Sequence, residues 1–292
     1  TTCKIGLFDM NGTILEKWEI KTNTENHGAA ILDDVAAAVL GKLDEKNISK
    51  EEVQGIGLGV PGPVGPDGTV FKCVNLGWDV LNVEKELSEK TGIFVKVGND
   101  ANVAALGEMW KGGGAGYKNL IMVTLGTGVG GGIVIRRQVL VGANAIAGEW
   151  GHNPLPRLAA ADQPAPDCYC GHQGCIETYL SGPGLAADHA HHTGETLAAA
   201  TIEHRALGGD SACEATLRRY EDRLGRALAG VINILDPQVI VLGGGLSNMQ
   251  RLYRHLPACC APYVFSDAVD TRFLPPVHGD SSGVRGAAWL WD

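Results

Sequence analysis

Long apolar runs are absent from this chain. No stretch approaches the ~18 residues that a membrane-spanning helix requires, which argues against a bilayer as its setting. Runs rich in Lys and Arg are absent too. With 24 basic against 33 acidic residues the net charge is −9, so nucleic acid is not the expected partner, and the acidic surface reads as a solubility device. Aromatic residues are few at 6%, too sparse for a stacking surface, whereas glycine reaches 41 residues, a balance that suits close approach of backbone to a ligand. No secretory leader is seen ahead of the eight cysteines, and the expectation is a reducing, cytoplasmic compartment. What is present is apolar content of 45% over 292 residues, enough for a large core divided between two domains.

Three of the cysteines stand apart from the rest. Cys168-x-Cys170-Gly171-x-x-Gly174-Cys175-x-Glu177, with Glu149-x-Gly151-His152 upstream, offers three thiols and an imidazole, the ligand set of a closed tetrahedral zinc site. The two glycines let the backbone turn tightly enough for the sulfurs to face one point. Cys3, Cys73, Cys213, Cys259 and Cys260 lie in apolar or helical surroundings without ligand spacing. A disulfide or redox role for the three clustered thiols is the alternative. A catalytic zinc is disfavoured because the fourth ligand position is filled. Glu149 and Glu177 flank the cluster, so a metal knot of His152, Cys168, Cys170 and Cys175 would brace a polar pocket without entering the chemistry.

Periodicity places the remaining motifs. Strands are expected at 4–9 and 13–20 around an Asn11-Gly12 hairpin turn, at 53–60 before Pro61-Gly62-Pro63, and at 94–97 before Asn99-Asp100. Helices are expected at 33–43, 82–90 and 103–110. A second series opens at Leu120: strand 121–125, a glycine turn at 126–132, strand 133–135, a polar turn and strand 139–141. The similarity of the two series suggests internal duplication. Residues 156–167 lack periodicity and read as a loop. A long helix over 212–235 carries Leu217, Tyr220, Leu224, Leu228, Val231 and Leu235 on one stripe, with arginines and acids opposite. Strand 239–242 then runs into Gly243-Gly244-Gly245, and Ser247-x-x-Gln250 can form a capping box for a further helix.

Gly126-x-Gly128-x-x-Gly131 formally matches a dinucleotide fingerprint. That fingerprint needs a helix directly after the glycines, and here Gly132-Ile133-Val134-Ile135 continues as a strand. The turn reads instead as a hairpin whose N–H groups and Thr127 hydroxyl can grip a phosphate, or as a purely structural hairpin. Gly243 to Gly245, between a strand and a helix, suggests the second side of a nucleotide cleft. Asp100 at a strand end is placed to act as a general base on a hydroxyl, with Asn99 hydrogen-bonding neighbouring hydroxyls; the alternative is a helix N-cap.

Taken together, Asn99-Asp100-Ala101-Asn102, Leu125-Gly126-Thr127-Gly128, Glu149-x-Gly151-His152 and the cysteine knot resemble the ROK family of bacterial sugar kinases and repressors over essentially the whole chain. The resemblance implies a duplicated α/β fold, actin-like and hexokinase-like with a ribonuclease H-like core. Two domains would close on a cleft: residues 1–101 with 280–292, and residues 102–279 with the zinc knot. It further implies ATP with magnesium, a hexose substrate, a structural zinc and a homodimer. Carried over, Asp100 becomes the base that activates the sugar 6-hydroxyl. Gly62, Asn99, Asp100, Glu149, His152 and Glu177 would surround the sugar. His152 would place one ring nitrogen on zinc and the other toward the sugar. Gly126, Thr127, Gly128, Gly244 and Gly245 would contact ATP, with Thr1 and Thr2 at the first phosphate motif.

Two departures from the family pattern shape the expectation. The family's Asp-x-Gly-Gly-Thr phosphate motif is represented only from its Thr onward, and a protein without the rest could bind sugar without phosphorylating it. Up to about Ile135 the chain is similar to bacterial glucokinases, and from about Ala147 to bacterial fructokinases, as a fusion of two parents would be. Glucose is the first expected substrate and fructose or mannose the second. A DNA-binding repressor is not expected, because no helix-turn-helix precedes the first hairpin.

Overall fold

The computed structural model describes residues 2–291. The chain opens with antiparallel strands β1 (Thr2–Phe8) and β2 (Ile14–Lys21), joined at the Asn11-Gly12 turn. The Asp9 carboxylate accepts from the N–H groups of Asn11 and Thr13, which fixes that turn. Helix α1 (Ile31–Lys46) follows, then β3 (Ile56–Val60), the hairpin β4 (Thr69–Cys73) and β5 (Trp78–Asn82), helix α2 (Val83–Thr91) capped by Asn82, and strand β6 (Val95–Asn99). The β4–β5 hairpin is not expected from periodicity, since Phe71 and Val80 both face solvent and no clean alternation marks it.

Among the described residues, β1 pairs only with β2, and β3 only with β6, in parallel. The two pairs nonetheless share one core. Cys3 and Ile20 from the first, and Ile56, Leu58, Val60, Val95 and Val97 from the second, pack against Ile31, Leu32 and Val35 of α1 and Val83 and Leu87 of α2.

Helix α3 (Asp100–Lys111) leads to a five-stranded sheet, whose order is β11-β10-β7-β8-β9. Its strands are β7 (Leu120–Leu125), β8 (Val129–Ile135), β9 (Gln138–Val139), β10 (Val239–Gly243) and β11 (Arg272–Leu274). β7, β10 and β11 run parallel, whereas β7, β8 and β9 form an antiparallel meander. Helices α4 (Ile176–Leu180), α5 (Gly182–Thr193), α6 (Ala199–Leu207), α7 (Ser211–Leu235) and α8 (Gln250–Cys260) pack with this sheet around a second core. On α7 the stripe of Leu217, Tyr220, Leu224 and Leu228 is buried as periodicity requires, and Asp236 stops the helix in a left-handed conformation, φ 40°.

The opposite face of α7 departs from expectation. Arg223 and Arg226 are only 2% and 4% exposed. Loop 156–167 covers them. The Asp162 carboxylate accepts from Arg223 Nε at 2.7 Å, Arg226 Nη1 at 2.9 Å and the Ala159 N–H at 2.7 Å. The same arginines donate to the carbonyls of Pro156, Arg157 and Ala161, and Arg223 also holds Asp188 of α5 at 2.7 Å. Paired charges permit this burial, which a count of polar residues on a helix face cannot foresee.

The last helix, α9 (Ser282–Ala288), crosses α3 almost without side chains between them. A Cβ on Gly286 would stand 1.5 Å from the Val103 carbonyl oxygen, and one on Gly107 would stand 2.2 Å from that of Ser282. Glu108, fully buried beside the crossing, accepts from the N–H groups of Gly113, Val277 and His278 and from the Ser282 hydroxyl.

Candidate active site

Parallel pairing of Val60 with Asn99 brings Pro61-Gly62 and Asn99-Asp100 out side by side from β3 and β6. Asn99 is the N-cap of α3: its Oδ1 accepts from the N–H groups of Ala101 and Asn102 at 3.0 and 3.2 Å. Its Nδ2 donates to the Gly62 carbonyl at 3.1 Å, tying the two strand ends together. The capping role therefore falls to Asn99. Asp100 is left as the first helical residue with its carboxylate open to solvent on one side. Desolvation by the surrounding protein raises its pKa above the ordinary aspartate value, against the pull of the Ala101 N–H.

Two further carboxylates share its field. Burial raises Glu149; His152 draws it back, while Asp100 and Glu177 push it up further. Glu177 sits in the first turn of α4, and its Oε2 accepts from the Val129 N–H at 2.8 Å. A Cβ on Gly128 would stand 2.7 Å from that same oxygen, so a side chain there would push the Glu177 carboxylate off its present position.

The knot residues converge as their spacing implies. The ligand atoms of His152, Cys168, Cys170 and Cys175 all lie within 4.8 Å of one another. Three thiols and an imidazole nitrogen at that separation fit a tetrahedral zinc ion. His152 Nδ1 faces the cluster, 3.6 Å from Cys168 Sγ. Its other nitrogen, which the family resemblance turns toward the sugar, meets the Tyr169 hydroxyl at 3.0 Å.

Gly126-Thr127-Gly128 forms the β7–β8 turn, with Thr127 exposed. In-register pairing of Gly243 with Thr124 sets Gly244-Gly245 next to it. Added Cβ atoms on Gly126 and Gly245 would meet nothing within 4 Å, so this backbone wall is open to a ligand. The glycine turn is shorter than expected, because β8 already begins at Val129. Gly131 and Gly132 serve packing instead. The Trp150 indole donates to the Gly130 carbonyl at 2.8 Å, a Cβ on Gly132 would stand 2.4 Å from the Ala101 carbonyl oxygen, and one on Gly148 would stand 2.1 Å from that of Gly131.

The capping box at Ser247 does not form. A 3-10 turn at Gly245–Asn248 separates the glycines from α8, whose N-cap is Met249, and the Ser247 hydroxyl donates back to the Gly244 carbonyl at 2.7 Å. The start of α8 therefore lies past the glycines, and their own N–H groups form the exposed wall. Thr2 pairs with Lys21 in the first hairpin; Thr1 lies outside the described residues. Tyr169, Trp150 and Asp162 were not singled out by sequence. Only Tyr169 carried a signal, its place between two candidate ligands.

Comparison with known proteins agrees with this geometry. The model of the ROK family matches residues 1–292. The glucokinase of Halalkalibacterium halodurans is 37% identical over 99% of this chain and 92% of its own length, and so spans both the glucokinase-like and fructokinase-like parts. The N-acetyl-D-glucosamine kinase of Yersinia enterocolitica is 35% identical over 99% of this chain and 96% of its own. Among solved structures, a ROK family glucokinase from Streptomyces griseus in complex with glucose and AMPPNP aligns with a TM-score of 0.76 at 29% identity, covering 98% of this chain and 94% of that one. The duplicated α/β fold is thus the actin-like, hexokinase-like one that the motifs implied. The chain belongs to the ROK family.

Proposed function

We propose that this protein transfers the terminal phosphoryl group of ATP to the 6-hydroxyl of a hexose, with glucose and N-acetylglucosamine as the two leading substrates. The observation that carries the reading is the placement of Asp100. It is a carboxylate of raised pKa at a strand end, in the same field as Glu149 and Glu177, and Glu177 is bonded to the glycine turn that faces it. Glucose is favoured by the 37% identical glucokinase and N-acetylglucosamine by the 35% identical kinase.

In this mechanism Asp100 orients the attacking hydroxyl and accepts its proton, and its raised pKa makes it a stronger base than an ordinary aspartate. Glu149 and Glu177 hold other sugar hydroxyls, and Asn99 keeps Gly62 against the same end of the pocket. The N–H groups of Thr127, Gly128, Gly244 and Gly245 receive phosphate oxygens, while that of Gly126 closes the turn on the Gly128 carbonyl at 3.0 Å. Magnesium bound with ATP would supply neutralisation of phosphate charge, the main requirement of phosphoryl transfer. His152, Cys168, Cys170 and Cys175 would hold zinc as a structural brace for the segment between Glu149 and Glu177. A cleft between residues 1–101 with 280–292 and residues 102–279 belongs to the same proposal, as does a homodimer, to be checked by sedimentation.

An ADP-coupled assay with glucose, N-acetylglucosamine, fructose and mannose tests the reading. Turnover of glucose or N-acetylglucosamine is the expected result. Calorimetric binding of a hexose without turnover of any of the four would replace it with a non-catalytic sugar binder.

A further inference from the structure

His152 and Tyr169 meet in a way that the hexose-kinase reading does not use. The ring nitrogen Nδ1 faces the thiol cluster, so a metal there leaves the single ring proton on Nε2. That N–H points to the Tyr169 hydroxyl at 3.0 Å, with the two rings edge to face at 5.2 Å between centroids. One N–H makes one good hydrogen bond. While Tyr169 accepts it, a sugar hydroxyl cannot.

Tyr169 is built to let go. Its backbone is held between Cys168 and Cys170, yet its side chain is 83% exposed, and His152 is the hydroxyl's one hydrogen-bond partner among the described residues. Rotation about its own side-chain bonds would carry the phenol into solvent at small cost, without moving the knot. His152 closes the 3-10 turn that Glu149 caps, its backbone N–H donating to the Glu149 carbonyl at 3.3 Å, which sets the histidine–tyrosine pair beside a proposed sugar-facing acid.

We propose that Tyr169 is a specificity-setting residue that occupies the outer N–H of His152 in the empty protein and is displaced by a hexose hydroxyl when substrate enters. This rests on the hexose-kinase reading. Its effect is to soften discrimination. A sugar lacking the hydroxyl that reaches His152 leaves the histidine–tyrosine bond intact, so the half-buried donor is not left unpaired beneath the bound sugar.

The experiment is the kinetics of Tyr169→Phe against wild type with glucose, N-acetylglucosamine and the 1-, 2- and 3-deoxy analogues of glucose, with zinc content and zinc release to a chelator measured alongside. The expected result is a roughly fivefold lower KM for the best sugar at unchanged kcat, the equivalent of one net hydrogen bond no longer contested. KM for one of the deoxy analogues should not fall, so selectivity against it widens, and zinc should be retained. Tyr169→Ala should shift KM in the same direction.

A higher KM in Tyr169→Phe would make the hydroxyl a direct sugar contact and overturn the proposal. Release of zinc accelerated 10- to 100-fold with a loss of kcat would reduce Tyr169 to an orienting partner of a metal ligand, which also overturns it. An unchanged KM would do the same while leaving the kinase reading intact. A wild-type protein that phosphorylates none of these sugars would defeat both.

Discussion

Replacing Asp162 with Asn tests the buried clamp that holds loop 156–167 on α7. The change keeps the side chain's size and removes its charge. Arg226, 4% exposed, would then retain Asp222, whose side chain is half exposed, as its one acidic partner beside the Pro156 and Arg157 carbonyls, and Arg223 would retain Asp188. Removing one partner of a buried pair so that a charge is left uncompensated typically costs about 3–5 kcal/mol, and the remaining Asp222 and Asp188 place this case at the low end. Asn keeps one acceptor, so about 3 kcal/mol is expected from urea unfolding followed by far-UV circular dichroism at pH 7. The internal standard is Glu195→Gln, which breaks the Arg205–Glu195 pair on the surface, where the side chains are 41% and 50% exposed; solvent screening should make its cost far smaller than that of Asp162→Asn.

The pH dependence supplies a second check on the same variant. Burial alone would raise Asp162, but the Arg226, Ala159 and Arg223 hydrogen bonds bring its pKa below the usual value. A carboxylate with a lowered pKa contributes stability above its unfolded value, near 3.9, and loses it as the pH falls through the folded one. The gap between wild type and Asp162→Asn should therefore be full at neutral pH and narrow below about pH 4. A cost no larger than that of the surface pair, or a gap that persists in acid, would refute the reasoning.

Three other outcomes follow from the site. Asp100→Asn should lower kcat by roughly 10²- to 10⁴-fold with little change in hexose KM, as expected for a lost general base; equal losses in both would remove Asp100 from that role. Because burial raises Asp100 and Glu149, the acidic limb of the kcat/KM profile should lie above the ordinary aspartate value near 3.9, and a limb at or below it would contradict the geometry. Gly128→Ala places a methyl group 2.7 Å from Glu177 Oε2 and should break the bond to the Val129 N–H, raising KM for both hexose and ATP; steady-state kinetics with each substrate varied in turn would detect it.

The motifs that carried chemistry were legible because each imposes its own local geometry. Asn11-Gly12 turns a hairpin wherever it occurs between strands, and the Cys-x-Cys-Gly-x-x-Gly-Cys spacing closes on itself. What escaped depends on partners distant in sequence. Gly130 to Gly132 read as phosphate-gripping residues, yet the small size of Gly131 and Gly132 serves Trp150, α3 and Gly148. Arg223 and Arg226 read as a solvated face until Asp162 covers them. Ser247 has the composition of a helix cap but falls inside a 3-10 turn, and one residue type cannot reveal which of two helical geometries precedes it. The site was thus readable in its chemistry, and less so in the glycines and arginines that support it.

The crossing of α3 and α9 at Gly107 and Gly286 has a mechanical consequence. With backbone resting on backbone at these two glycines, a tilt of one helix on the other would pivot there. Asp100 lies seven residues from Gly107 along α3, about 10 Å at 1.5 Å per residue. A swing of about ten degrees at that pivot would carry the start of the helix through about 2 Å, the difference between a hydrogen bond made and a hydrogen bond missed. Two residues with no side chain thereby govern the aim of a carboxylate they never touch.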